Sequence, residues 1–264
     1  MTVDLGYAGT TAIVTGGTRG IGKAVVSLLL DQGAHVLAVG SRPETAAALA
    51  AEIGNDRLYV VAQDMRADDC GERVVAAAVE AFGGVDLLVN NAAAFDYVSA
   101  GSLRRQDWLE LFTLKALGYW SLARAATAEL TARRGAIVNV SGVAGIIASP
   151  DSPNVGAVNA AVISLSESMA KALAPQGVRV NVVSPGTTDT DRFATRISLL
   201  AERESVDAEA ARDRLTGAVP IGHPADPREL ALVIAMLGAP VLRSVTGAHV
   251  VVDGASTLGG RRRG

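Results

Sequence analysis

Short apolar runs alternate with stretches of helical period along almost the whole chain, and a glycine-rich turn separates the first run from the first helix. Thr11 to Thr15 reads as a buried strand, and Gly20 to Gln32 follows as a helix carrying Ile21, Val25, Leu28 and Leu29 at helical spacing. Gly33 closes that helix. The alternation continues with a strand from His35 to Val39, an alanine-rich helix from Glu44 to Ile53 and a strand from Leu58 to Ala62. A helix from Cys70 to Phe82 and a buried-type run from Val85 to Asn90 come next. Leu109 to Arg133 reads as one long helix, Ala136 to Ser141 as a strand, Val155 to Leu173 as a helix and Val178 to Val183 as a strand. Arg228 to Leu237 and His249 to Val252 supply the last helix and strand. Such repetition predicts an α/β fold: a doubly wound parallel sheet with helices on both faces and right-handed crossovers. The 264 residues, 49% of them hydrophobic, are not divided by any Gly/Ser-rich or Pro-rich linker, so a single domain is expected.

The turn Thr15-Gly16-Gly17-Thr18-Arg19-Gly20-Ile21-Gly22 has a specific use in such a fold. Glycine lets the backbone turn tightly and approach a phosphate, and the free N–H groups of the following helix hold negative charge. A glycine cluster alone is a weak signal. Its place between the first strand and first helix points to a phosphate-binding turn rather than an ordinary strand-to-helix turn.

Bulk properties remove other classes. A net charge of -3 leaves no basic excess for nucleic acid or an anionic membrane. The Arg261, Arg262, Arg263 run is short and reads as a frayed tail within 259–264. Cys70 is the single cysteine, and the N-terminal stretch has no signal-like apolar core, so a cytoplasmic location is expected. His35, His223 and His249 have no ligand spacing, so no metal is expected. An aromatic content of 4% offers no stacking platform for bases.

The glycine turn, Asn90-Asn91-Ala92-Ala93, Pro185-Gly186 with Thr190, and Thr246-Gly247 through Val252-Asp253-Gly254 together resemble the short-chain dehydrogenase/reductase family, from Thr10 to Leu258. The resemblance implies a dinucleotide held by Gly16, Thr18, Arg19, Gly20, Ile21 and Gly22 at the phosphates and by Asp64 and Met65 at the adenine. Asn91, Ala92 and Ala93 follow the fourth strand, and Pro185, Gly186, Thr188 and Thr190 lie along the nicotinamide. Ala93 stands where the family has glycine. After the second strand the run Val39-Gly40-Ser41-Arg42 holds no carboxylate to bond ribose hydroxyls. Ser41, Arg42 and Arg19 suit an added 2′-phosphate, which predicts NADP(H).

The family's reactive side chains are replaced. Its Ser-Ser-x-x-Gly frame reads Ser141-Gly142-Val143-Ala144-Gly145 here, and its Tyr-x-Ala-Ser-Lys frame reads Val155-Gly156-Ala157-Val158-Asn159. By the same alignment Lys115 stands in place of the family's helix asparagine. The tetrad positions are therefore Lys115, Gly142, Val155 and Asn159, and no tyrosine follows Tyr119. Valine cannot donate a proton. General acid catalysis contributes about 10²–10⁴ in rate, whereas holding donor and acceptor in register contributes about 7–11 kcal/mol. Hydride transfer can survive on an acceptor that tolerates becoming an anion, such as a quinone or a ketone bonded to its own phenol. Restoring the family pair with Val155→Tyr and Asn159→Lys would test that idea.

Among remaining polar groups, Lys115 is either an electrostatic stabiliser or an ordinary helix lysine, a solvated charge or a subunit contact. Ser141 and Asn159 are candidate hydrogen-bond donors, although Ser141 falls one place before the reactive position. Asp151, Ser152 and Asn154 are near in sequence, and Asp96 and Tyr97 either reach substrate or decorate a loop. The segment 191–219 is the lid by resemblance; its Phe193, Ile197, Leu199 and Leu200 either face the pocket or pack on the core. His223 reads as structural. The residues fit three functions: an NADP(H)-dependent reductase of a conjugated or polyketide-like carbonyl, as in secondary metabolism; an inactive partner subunit or dinucleotide sensor; and a non-redox cyclase or isomerase. A homodimer or homotetramer suits the first, and a hetero-oligomer with an active relative suits the second.

Overall fold

A computed structural model describes residues 4–94, 98 and 100–258. Seven strands form one wholly parallel sheet: β1 (Thr11–Thr15), β2 (His35–Gly40), β3 (Leu58–Ala62), β4 (Leu87–Asn90), β5 (Ala136–Val140), β6 (Arg179–Pro185) and β7 (His249–Val252). Their order is β3-β2-β1-β4-β5-β6-β7, which reverses direction between β1 and β4. Register is fixed by pairs such as Ile13 with Leu37 and Leu88, and Val89 with Val138. The central strands β1, β4 and β5 are buried at every residue, as expected for strands covered on both faces.

Helices α1 (Gly20–Asp31), α2 (Pro43–Ile53) and α9 (Pro227–Gly238) cover one face. Val25, Val26, Leu29, Leu49, Leu230 and Ile234 meet Val14, Val36 and Val138 there. The other face carries α3 (Cys70–Phe82), α5 (Gly118–Arg133) and α6 (Pro153–Leu173), where Val74, Leu122, Leu130 and Leu173 pack on Ile13, Leu37 and Ile137. Helices α3 and α5 run close because Gly71 lies against the backbone of Ser121; a Cβ on Gly71 would sit 2.7 Å from the Ser121 carbonyl oxygen.

The predicted long helix from Leu109 to Arg133 is interrupted. Helix α4 (Arg105–Phe112) passes into a π-helical turn, Thr113–Leu117, before α5 begins at Gly118. The extra residue shifts the inward face, and Lys115 becomes buried while Leu117 stays outside. The segment 191–219 forms two helices, α7 (Asp191–Glu204) and α8 (Ala208–Gly217), broken at Ser205 with φ 53°. Phe193 and Ile197 pack with Ala211 and Leu215 between these helices, Leu200 borders that cluster, and Leu199 is 44% exposed. Asp96, Tyr97 and the tail 259–264 lie outside the described residues.

Candidate active site

Ligands of open parallel sheets bind beyond the carboxyl ends of the strands, where the strand order reverses. Here the reversal falls between β1 and β4, and their ends are tied together. Thr15 Oγ1 accepts from the backbone N–H groups of Asn91 (2.9 Å) and Ala92 (3.1 Å). Asn91 Nδ2 donates to the carbonyl oxygens of Thr15 (3.0 Å) and Gly16 (3.2 Å). Asn91 therefore spends its amide on shaping the glycine turn. Gly16 and Gly20 adopt φ of 64° and 54°, a region that strains other residues. A Cβ on Gly22 would lie 2.1 Å from the Gly16 carbonyl oxygen, so no side chain fits there.

The second glycine segment meets the first. Thr190, which precedes α7, places its Cγ2 3.5 Å from the Cβ position of Gly20. Thr188 Oγ1 donates to the Gly186 carbonyl at 3.2 Å, and Gly186 N–H donates to Val252 at 2.9 Å. A Cβ on Gly186 would meet Asp253 at 2.7 Å, which explains the glycine after Pro185. Thr18, Ile21 and Ala92 line the same turn region, and Gly40 lies close under Thr18, whose Cγ2 is 2.6 Å from the Gly40 Cβ position.

At the far end of the crevice Arg19, Ser41 and Arg42 are exposed. Arg42 uses its carbonyl to start α2 and leaves its guanidinium at the surface. Asp64 is held by Arg66 through both carboxylate oxygens at 2.9 Å, and that guanidinium keeps its pKa below the usual carboxylate range. Met65 is buried and its carbonyl oxygen accepts from Cys70 Sγ. Sequence reasoning missed Arg66, although its spacing two residues after Asp64 was visible.

The four positions Lys115, Gly142, Val155 and Asn159 converge beyond the end of β5. Lys115 is only 4% exposed, so it is not a solvated helix charge. Its Nζ donates to Asn159 Oδ1 at 2.6 Å and to the Ser141 carbonyl at 2.9 Å. Burial pulls its pKa down to about 7, helped by the positive field of Arg192. Asn159 is 3% exposed, and its backbone carbonyl accepts from Ser141 Oγ at 2.9 Å. The Ser141 hydroxyl proton is thus spent on α6 and serves to dock that helix on β5.

Val155 lies one turn before Asn159 on α6 and is 5% exposed. It packs with Leu111 and Val158, bordered by Phe112, Ala116 and Ala144. Gly142 adjoins Asn159 so closely that a Cβ there would lie 2.8 Å from Asn159 Nδ2. Asn154 and Ser152 are buried at the start of α6, and Asp151 is exposed. Tyr119 donates its hydroxyl to the carbonyls of Ala92 (3.1 Å) and Val140 (3.3 Å), and burial pushes its pKa up. Arg192, one residue past the start of α7, donates to the Ala93 carbonyl at 3.1 Å. Tyr119 and Arg192 had no motif to mark them, because their roles depend on contacts across the fold. His223 is exposed with Nδ1 3.0 Å from the Pro224 carbonyl, away from this cluster.

Among the described residues no group of three or more His, Cys, Asp or Glu is placed to hold a metal ion. No described helix is long and apolar enough to cross a membrane.

Comparison with known proteins agrees with this architecture. The family model for short chain dehydrogenase matches residues 10–198. L-rhamnose 1-dehydrogenase (NAD(P)(+)) of Azotobacter vinelandii is 36% identical over 252 residues, covering 92% of this chain and 95% of that protein. The 3-oxoacyl-[acyl-carrier-protein] reductase FabG of Vibrio cholerae is 32% identical, covering 93% and 96%. A crystal structure described as a short-chain dehydrogenase/reductase, glucose/ribitol dehydrogenase, from Brucella melitensis superposes with TM-score 0.86 at 28% identity, covering 97% of this chain and 99% of that one. With a wholly parallel sheet, a glycine-lined crevice at its reversal point and a family match across most of the chain, this protein belongs to the short-chain dehydrogenase family.

Proposed function

We propose that the protein is an NADP(H)-dependent oxidoreductase that reduces a quinone or a conjugated, aromatic, polyketide-like ketone by substrate-assisted hydride transfer. One observation carries the reading. The dinucleotide crevice is built so tightly that Gly22 admits no Cβ, while Val155, at the position where the family resemblance puts its acid, is sealed among Leu111 and Val158. The cofactor end is kept and the proton donor is not. The names of both relatives denote a dehydrogenase and a reductase, and that of the rhamnose dehydrogenase includes both NAD and NADP.

The glycine cradle fits a dinucleotide. Gly16, Thr18, Gly20, Ile21 and Gly22 would hold its pyrophosphate at the N-terminus of α1. Arg19, Ser41 and Arg42 would take the 2′-phosphate, and Asp64 with Met65 the adenine. Asn91, Ala92, Ala93, Pro185, Gly186, Thr188 and Thr190 would border the nicotinamide. When bound, the cofactor supplies a hydride. The apolar wall of Val155 and Ala144 excludes water from the acceptor, and the segment 191–219 acts as the lid over it. Without a tyrosine acid, the chain forgoes a factor of about 10²–10⁴ in rate. An acceptor that spreads the developing charge, or bonds it to its own phenol, does not need that factor. Leu117 and Trp120, exposed where α5 begins, support self-association as a homodimer or homotetramer.

The test is NADPH oxidation by the purified protein with a naphthoquinone and with an unconjugated aliphatic ketone, each against a protein-free blank. Quinone-dependent oxidation with no turnover of the aliphatic ketone is expected. Equal rates on both, or no oxidation with either, would overturn the proposal.

A further inference from the structure

Asn159 sits in a position whose polarity is fixed by its neighbour. The Lys115 ammonium has donors and no acceptor, so the amide atom 2.6 Å from Nζ must be the oxygen. The Nδ2 group is thereby turned the other way, to the place a side chain on Gly142 would occupy, 2.8 Å from its Cβ position. Among the described residues Nδ2 donates to no protein group, yet it is not one of the atoms sealed from solvent without a partner. Gly142 lies two residues past the end of β5, at the carboxyl edge of the sheet where ligands of this fold bind. An amide N–H with a fixed direction and no protein acceptor, held at that edge, is a donor prepared for a ligand oxygen.

We infer that Asn159 Nδ2 is the hydrogen-bond donor to the substrate's oxyanion, and that Lys115 is the positioning residue that aims it. The inference rests on the proposed reduction for the origin of the oxyanion, whose charge comes from hydride arriving at the carbonyl carbon. No proton leaves Asn159 or Lys115 in this step. Preorganised donors of this kind act strongly in a dry site because they need not reorient as charge develops. Glycine at 142 is part of the same arrangement, since any side chain there would push against Nδ2.

Lys115 also gives the device a pH dependence. Its surroundings are Asn159 from α6, Tyr119 from α5 with its ring centroid 6.0 Å from Nζ, and Arg192 from α7. On α4, Arg105 and Glu110 are exposed and Asp107 is paired with Arg104; Glu167 and Lys171 on α6 are exposed; on α5, Arg124 pairs with Glu72, and Arg133 lies near Asp86 and Glu129. With its pKa lowered to about 7, Lys115 is an ammonium below that pH and an amine above it. A neutral amine can accept as well as donate, so it no longer dictates which amide atom faces it. Anion binding at Nδ2 is therefore strong at low pH and weakens as pH rises through about 7.

The experiment measures binding of dinitrophenolate, which stays ionised from mildly acidic to mildly basic solution, to wild type and variants without any turnover. Asn159→Asp keeps an acceptor for Lys115 and removes the donor; Asn159→Ala removes the donor without adding charge. Both should weaken binding at least about tenfold, with the fold checked by circular dichroism. Lys115→Met should bind weakly with no inflection near neutral pH, while wild type loses affinity across it. Retained affinity in both Asn159 variants, or no binding by wild type, would overturn the inference. Failure of the reductase reading is separate: the phenolate would bind as described while quinone-dependent NADPH oxidation is absent.

Discussion

Lys115, Gly142, Val155 and Asn159 form an interlocked set in which each residue type depends on the others. Asn159 gives the buried lysine its acceptor, and glycine at 142 leaves room for the Asn159 amide. This changes what happens when the family's residues are put back. Val155→Tyr with Asn159→Lys alone places a second ammonium against Lys115 and removes its acceptor, and uncompensated buried charge costs about 3 kcal/mol or more. That double variant should melt well below wild type. Adding Lys115→Asn and Gly142→Ser should recover most of the loss, because the cation then resides on α6 alone and nothing opposes a side chain at 142. Thermal melting of the double and quadruple variants checks this; equal stability of the two would show that the positions act independently. Aliphatic ketone reduction by the quadruple variant would further show that an acid at 155 widens the acceptor range. Sequence placed these four residues near one site. The bond between Lys115 and Asn159 was not legible, because the partners lie on separate elements and only the packing of the π-turn on α6 brings them together.

Most elements follow directly from period and turn chemistry. Strands β1, β3 and β7 and helix α3 have the bounds that the apolar runs predict, because the apolar stretches stand out from the polar and glycine-containing turns between them, even at the part-exposed edge strands β3 and β7. Two features escaped. The π-turn at Thr113–Leu117 inserts one residue without a composition change, so the pattern from Leu109 to Arg133 still looked like one helix. The break between α7 and α8 depends on a left-handed Ser205, a residue with no strong preference for that conformation. Packing between elements also rests on a buried cation. Arg179, at the start of β6, donates to the carbonyls of Leu237 (2.7 Å), Gly238 (2.9 Å) and Ala239 (2.9 Å), closing the C-terminal end of α9. Arg179→Met should leave the Gly238 carbonyl unpaired, while Leu237 keeps Asn181 Nδ2 and Ala239 keeps the Leu242 N–H, and should cost about 2 kcal/mol in urea unfolding. A loss under about 0.5 kcal/mol would mean that water replaces the guanidinium at no cost.

At the scale of the whole molecule, the crevice and the reaction corner are built to different standards. Around the glycine turn, backbone approach is so close that Gly16, Gly22 and Gly186 have no alternative, and the Thr190 side chain lies beside the start of α1. On the proposed reading the reaction corner replaces four family residues, and it keeps polar groups there: an oriented amide, a buried lysine and the nearby Arg192. The exposed Arg19 and Arg42, with no carboxylate in Val39 to Arg42, favour a cofactor carrying an extra phosphate. The most direct test is calorimetric titration of the purified protein with NADPH and with NADH. Micromolar or tighter NADPH binding, with NADH at least about tenfold weaker, or about 1.4 kcal/mol, is the predicted result; no binding of either dinucleotide would contradict the account.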